Sequence, residues 1–126
     1  MTRPDEPLTG GSLRAAISDE LGHLLLHYSG RGPTQTHTVV HDDLIVCLLE
    51  HTLTKAERSL INAGHHASVL NARNLLHDTM RDDLTEVVQR HSGRKVIAFM
   101  SDHHLDPDIS AALFVLQPQT AGDQPH

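Results

Sequence analysis

The stretch Thr36-His37-Thr38-Val39-Val40-His41-Asp42-Asp43-Leu44-Ile45-Val46-Cys47-Leu48-Leu49 decides the fold. Two runs of β-branched and aliphatic residues, Thr36–Val40 and Leu44–Leu49, flank the compact polar break His41-Asp42-Asp43, a pattern that predicts a β-hairpin. Nearly every position of the second run is apolar, so it reads as a strand with neighbours on both sides, central in its sheet. Further along, Lys95–Ser101 and Ile109–Leu116 are strand-like runs joined by the polar stretch Asp102–Asp108, and they predict a second hairpin.

Helical spacing surrounds these hairpins. Leu13, Ile17, Leu21, Leu24 and Tyr28 recur every three or four residues, with Ser12 as the expected N-cap and Gly30 as the stop. Gly30-Arg31-Gly32-Pro33 then turns the chain into the first strand, since the glycines permit positive φ and Pro33 has no N–H to donate. Between the hairpins, Thr54 and Glu57 have capping-box spacing, which starts a short helix at Thr54 that ends near Asn62–Gly64. A longer helix follows from about His66 to Ser92, closed by Gly93. Its apolar stripe reads Val69, Ala72, Leu76, Met80, Leu84, Val87 and His91, with Arg73 off the stripe. The order α-β-β-α-α-β-β predicts an α+β fold with one mainly antiparallel four-stranded sheet and helices packed on one face. Strand order stays open.

Composition bounds the rest. The chain has 126 residues, of which 33 are Leu, Ile, Val or Phe, enough for one hydrophobic core. A single domain is expected over 12–116, between flexible tails at 1–11 and 117–126 that are rich in Pro, Gly, Asp and Gln. One Tyr, two Phe, no Trp and a net charge of −6 argue against nucleic acid as a partner, because base-stacking platforms need aromatics and phosphate grooves need cations. No apolar run approaches the roughly 20 residues of a membrane span, and the first residues lack a secretory pattern. A lone cysteine, Cys47, excludes an internal disulfide, fits a reducing cytoplasm and reads as a small buried hydrophobe. Twelve histidines carry the net charge from −6 with all rings neutral to +6 with all protonated, around the model value of about 6.5.

Candidate chemistry is sparse. Asp102-His103-His104, with Asp106 and Asp108 beyond, is the densest set of metal-ligand types, suited to zinc, manganese or iron. Adjacent side chains on an extended chain point to opposite sides, so a solvated turn is the simpler expectation there. His23 with His27 and His37 with His41 are two-ligand pairs, with no His-Glu-x-x-His, paired-cysteine or phosphate-loop motif beside them. Arg31, between Gly30 and Gly32, is a candidate oxyanion contact, or a residue of a turn shaped by its glycines. Arg73 is a second anion candidate, or half of a partly buried ion pair. No nucleophile elbow surrounds a serine, and the expectation is a non-enzymatic chain without a cofactor. A small metal-dependent hydrolase is the enzymatic alternative.

Several landmarks fall in order: Tyr28-Ser29-Gly30-Arg31-Gly32-Pro33, the first hairpin, Leu53-Thr54-Lys55-Ala56-Glu57, Arg73, Ser92-Gly93-Arg94-Lys95-Val96, Asp102 and Phe114-Val115-Leu116. Together they resemble the MpsC-like family, named for a component of a sodium-translocating, membrane-potential-generating system and formerly a domain of unknown function. The resemblance spans Leu13–Leu116. It implies a small bacterial protein of membrane energetics, in a system that couples cation movement to inorganic-carbon uptake through integral-membrane partners. A chain without a spanning segment is then expected to act as a non-catalytic accessory or regulatory protein, docking by a sheet edge or the long helix, with a homodimer as a further expectation. The resemblance makes Gly30, Arg31, Gly32, Pro33, Thr54, Glu57 and Arg73 the residues of interest. The alternative is a metal- or anion-binding sensor using the His/Asp-rich loop. One departure is local: His51-Thr52 stands where the family pattern leads one to expect a glycine before the Leu-Thr pair.

Overall fold

The structure, a computed structural model, describes residues 7–119. Its elements are α1 (Gly10–Ser29), β1 (Gln35–His41), β2 (Leu44–Glu50), α2 (Lys55–Asn62), α3 (His66–Ser92), β3 (Val96–His104) and β4 (Ile109–Leu116). The fold is α+β in the order α-β-β-α-α-β-β. Every neighbouring pair of strands is antiparallel, in the order β1-β2-β4-β3, so the near-continuous apolar run of β2 does lie inside the sheet. Alternation sends Ile45, Cys47 and Leu49 of β2 and Ala112, Phe114 and Leu116 of β4 to one face, where α1 and α3 cover them. Leu13, Ile17, Leu21 and Leu25 from α1 and Met80, Leu84 and Val88 from α3 complete this core. Each such aliphatic side chain contributes about 1.5–3 kcal/mol on burial. Cys47 is fully buried, and burial pushes its thiol up to about 11, the behaviour of a small hydrophobe.

Five details differ from the sequence expectation. Helix α1 starts at Gly10 after Thr9, two residues ahead of Ser12. Leu8 packs against the core and its N–H donates to the His91 carbonyl at 2.7 Å, so Pro7–Gly11 belong to the fold; residues 1–6 and 120–126 of the expected tails lie outside the described residues. Leu25, rather than Leu24, is buried on α1. On α3 the buried face runs Val69, Arg73, His77, Met80, Leu84, Val87, Val88 and Ser92. Val69, Met80, Leu84 and Val87 of the expected stripe lie on it, while Arg73 and His77 are buried in place of Ala72 and Leu76, which the pairing of Arg73 makes possible. Strand β3 extends through His104, since His103 and His104 pair in register with Ser110 and Ile109, leaving only residues 105–108 as loop.

The molecule is internally repeated. Both long helices end in Ser-Gly-Arg, at Ser29-Gly30-Arg31 and Ser92-Gly93-Arg94, 63 positions apart. In each, glycine takes a left-handed φ (79° and 68°), the serine hydroxyl donates to a carbonyl four residues back, and the arginine N–H donates to that hydroxyl at 3.2 Å. The same offset carries the buried Ile17, Leu21 and Leu25 onto the buried Met80, Leu84 and Val88. Each helix leads into a hairpin, and the order β1-β2-β4-β3 sets the two αββ halves about a pseudo-two-fold axis between β2 and β4. Helix α2 and the first turns of α3 connect the halves.

Candidate functional site

The densest polar cluster sits where the connector meets the sheet. After β2, His51 adopts a left-handed φ of 58°, the conformation that favours glycine, within the His51-Thr52 pair where the family pattern led one to expect a glycine. The chain then presents the Thr52 and Leu53 N–H groups to the Asp108 carboxylate, at 3.2 and 3.0 Å. Thr54 and Glu57 form the predicted capping box, with Thr54 N–H donating to Glu57 Oε1 at 2.8 Å and Glu57 N–H to Thr54 Oγ1 at 3.1 Å. Glu57 is thereby fixed in place to meet Arg73.

Arg73 is 2% exposed. Its Nη1 donates to both Glu57 oxygens, at 2.8 and 3.0 Å, and its Nη2 donates to Thr52 Oγ1 and, at 3.5 Å, to Ser110 Oγ. Ser110 Oγ also lies 2.8 Å from His103 Nδ1. The His103 ring meets His77 edge to face, with centroids 4.3 Å apart. Burial, reinforced by the neighbouring His103 ring and the Arg73 charge, lowers His77 to about 3. Burial and Arg73 lower His103 to about 4, against the opposing pull of Asp102 and Glu57. Both rings are therefore neutral at pH 7. Chemically, this cluster neutralises and satisfies Arg73 from within and ties α2, α3, β4 and the end of β2 together.

The other sequence candidates lie elsewhere. Gly30, Arg31, Gly32 and Pro33 form the turn from α1 to β1, where Arg31 Nε donates to the His51 carbonyl at 2.9 Å. A Cβ on Gly32 or on Gly22 would meet Leu26 or Pro33 at ordinary contact distance, 3.6 and 3.7 Å, so the position of this turn that calls for glycine is Gly30, with its left-handed φ of 79°. Arg94 acts similarly at the other helix end, donating to the carbonyls of Asp42 and Gln117 at 2.9 and 2.8 Å. The Asp102-His103-His104 set is split by strand alternation. His103 points inward, whereas Asp102 and His104 are exposed on the opposite face and Asp106 is exposed in the loop. Among the described residues no group of three or more His, Cys, Asp or Glu is placed to hold a metal ion.

Thr52, His77 and Ser110 complete the cluster without any motif to mark them, whereas Asp108 and His103 come from the His/Asp-rich stretch and serve here as hydrogen-bond partners. Of these three, His77 carried a signal in its spacing, standing four residues after Arg73 and three before Met80 on one helical face.

These contacts define a two-layer α+β protein in which the polar residues singled out by the sequence bind the layers to each other. The chain belongs to the MpsC family: the family model described as Na+-translocating membrane potential-generating system (MpsC) matches residues 9–118. No curated protein and no solved structure matches the chain. Among the described residues no helix is long and apolar enough to cross a membrane.

Proposed function

We propose that this chain is a non-catalytic accessory or regulatory component of a sodium-translocating, membrane-potential-generating system, acting on the cytoplasmic side by docking on an integral-membrane subunit. The family match over 9–118 carries this reading. The engagement of Arg73, Glu57 and Thr54 with one another supports a structural rather than a catalytic role for them. Docking by a sheet edge is favoured by β1, an outer strand whose free main chain lies beside a cleft lined by Ala15, Ser18, Gly22, Leu26, Pro33 and Thr36. Small side chains along that stretch of α1 leave room for an added strand's side chains. The test is purification of the tagged chain from its native membranes in mild detergent, with a tag other than polyhistidine. Co-purification of an integral-membrane transport subunit is expected; recovery of the chain alone across several detergents overturns the reading.

A further inference from the structure

The sheet has a second face, and among the described residues neither helix nor loop covers it. Register places Val39, Val46, Leu113 and Met100 side by side in one row that crosses all four strands. Val39 is 57% exposed and Met100 54%, so the row ends in solvent on both edges. The adjoining row is His37, Leu48, Ala111 and Asp102, with Leu48 also exposed. Apolar surface of this extent on one side of an antiparallel sheet, where polar side chains usually alternate outward, marks an interaction surface. The remainder of this sequence, Met1–Glu6 and Thr120–His126, holds one large apolar side chain, Met1, and supplies too little apolar surface to cover it.

We propose that the occupant is a second copy of this chain, packed sheet on sheet about a two-fold axis that runs parallel to the strands between β2 and β4. Three observations favour it. That axis carries β1 of one copy over β3 of the other, row by row. It sets Val39 against Met100, Val46 against Leu113 and the large Leu48 against the small Ala111. It also brings His37 of each copy over Asp102 of the other, so the one acidic side chain in these two rows meets an imidazole, twice per dimer. The area takes in all four rows of the face, the outer two being Gln35, Glu50, Ile109 and His104 at one end and His41, Leu44, Val115 and Ala98 at the other: four strands about 4.8 Å apart and about seven residues long make roughly 19 by 23 Å. With side-chain relief this is of the order of 700 Å² of accessible surface per copy, near the ~800 Å² per partner of a standard interface. Sheets packed face to face in this way sit about 10 Å apart with strands within about 30° of alignment. Both outer strand edges remain free, so the docking proposed above and this association use different surfaces.

The test is the mass of the full-length chain by sedimentation velocity and light scattering from about 1 to about 200 µM, concentrations that span weak to moderate self-association. The mass of two chains is expected. Val39→Glu and Met100→Lys, each at a half-exposed position that leaves the core untouched, should each raise the dimer dissociation constant at least about a hundredfold by burying an unpaired charge. Carried together on one chain, they should restore the dimer, because the axis sets each Glu over the partner's Lys. Helix and sheet content by circular dichroism should be unchanged in all three. A wild-type chain that stays monomeric throughout the range overturns the proposal, as does a dimer indifferent to both single substitutions. Failure of the double variant to regain the dimer overturns the axis.

Discussion

Arg73 shows how a charge becomes a core residue. Taking a guanidinium out of water is strongly unfavourable unless its donors are met, and here a carboxylate and two hydroxyls meet them. Arg73→Met should therefore destabilise the protein by about 3–5 kcal/mol in urea unfolding, since Glu57 loses its counter-charge. Arg73→Lys should recover only part, because a single ammonium cannot hold Glu57 and reach both Thr52 and Ser110. The neighbouring histidines impose a pH dependence with a definite sign. Their folded values, about 3 for His77 and about 4 for His103, lie below the roughly 6.5 of the unfolded chain. Above about pH 7.5 neither state binds these protons and this contribution is flat. As pH falls through about 6.5 the unfolded chain takes up protons that the folded chain refuses, so stability declines until the folded rings titrate. Urea midpoints followed from about pH 7.5 to about pH 4 should fall steadily, and His77→Leu should reduce the slope over the lower half of that window.

Helix α2 depends on its ends. None of its residues is buried, so the Thr54 capping box, the Glu57–Arg73 pair and the Arg58–Asp108 pair are what hold it down. Thr54→Ala should cost about 1 kcal/mol and speed hydrogen exchange in α2 while α3 amides stay protected. At this scale most of the fold was legible: the two hairpins, the capping box and the glycine helix stops each have a local cause written into neighbouring residues. Legibility failed where the cause lies elsewhere in the chain. Over Arg73–His77 the inward side of α3 is set by what Arg73 finds on α2 and the sheet, whereas Met80, Leu84 and Val87 follow the helix's own apolar stripe. Likewise His103 and His104 read as loop because their strand character comes from pairing with β4. Of the candidate site, Thr54, Glu57 and Arg73 stood out in the sequence, and His103 and Asp108 did so as metal-ligand types, but Thr52 and Ser110 join it only through folding.

Across the whole molecule, the order β1-β2-β4-β3 could not be read from local pattern, because its central joint links Leu44 to Val115 and Glu50 to Ile109. The repeat did leave a trace, the doubled Ser-Gly-Arg, too short to stand out before the two helix ends are seen to be equivalent. Each half carries one long helix and one complete hairpin, and the β2–β4 seam, with the packing of α1 on α3, holds them together. Proteolytic nicking at the short α2–α3 turn, residues 63–65, should therefore leave a particle that migrates as one species on a native gel and as two fragments on a denaturing one. The doubling also orders assembly in time. Each hairpin closes between sequence neighbours and can form early, whereas the central seam must await the docking of two already shaped pieces. Faults in that late step would leave a sticky strand edge on each piece, free to mate with the wrong molecule.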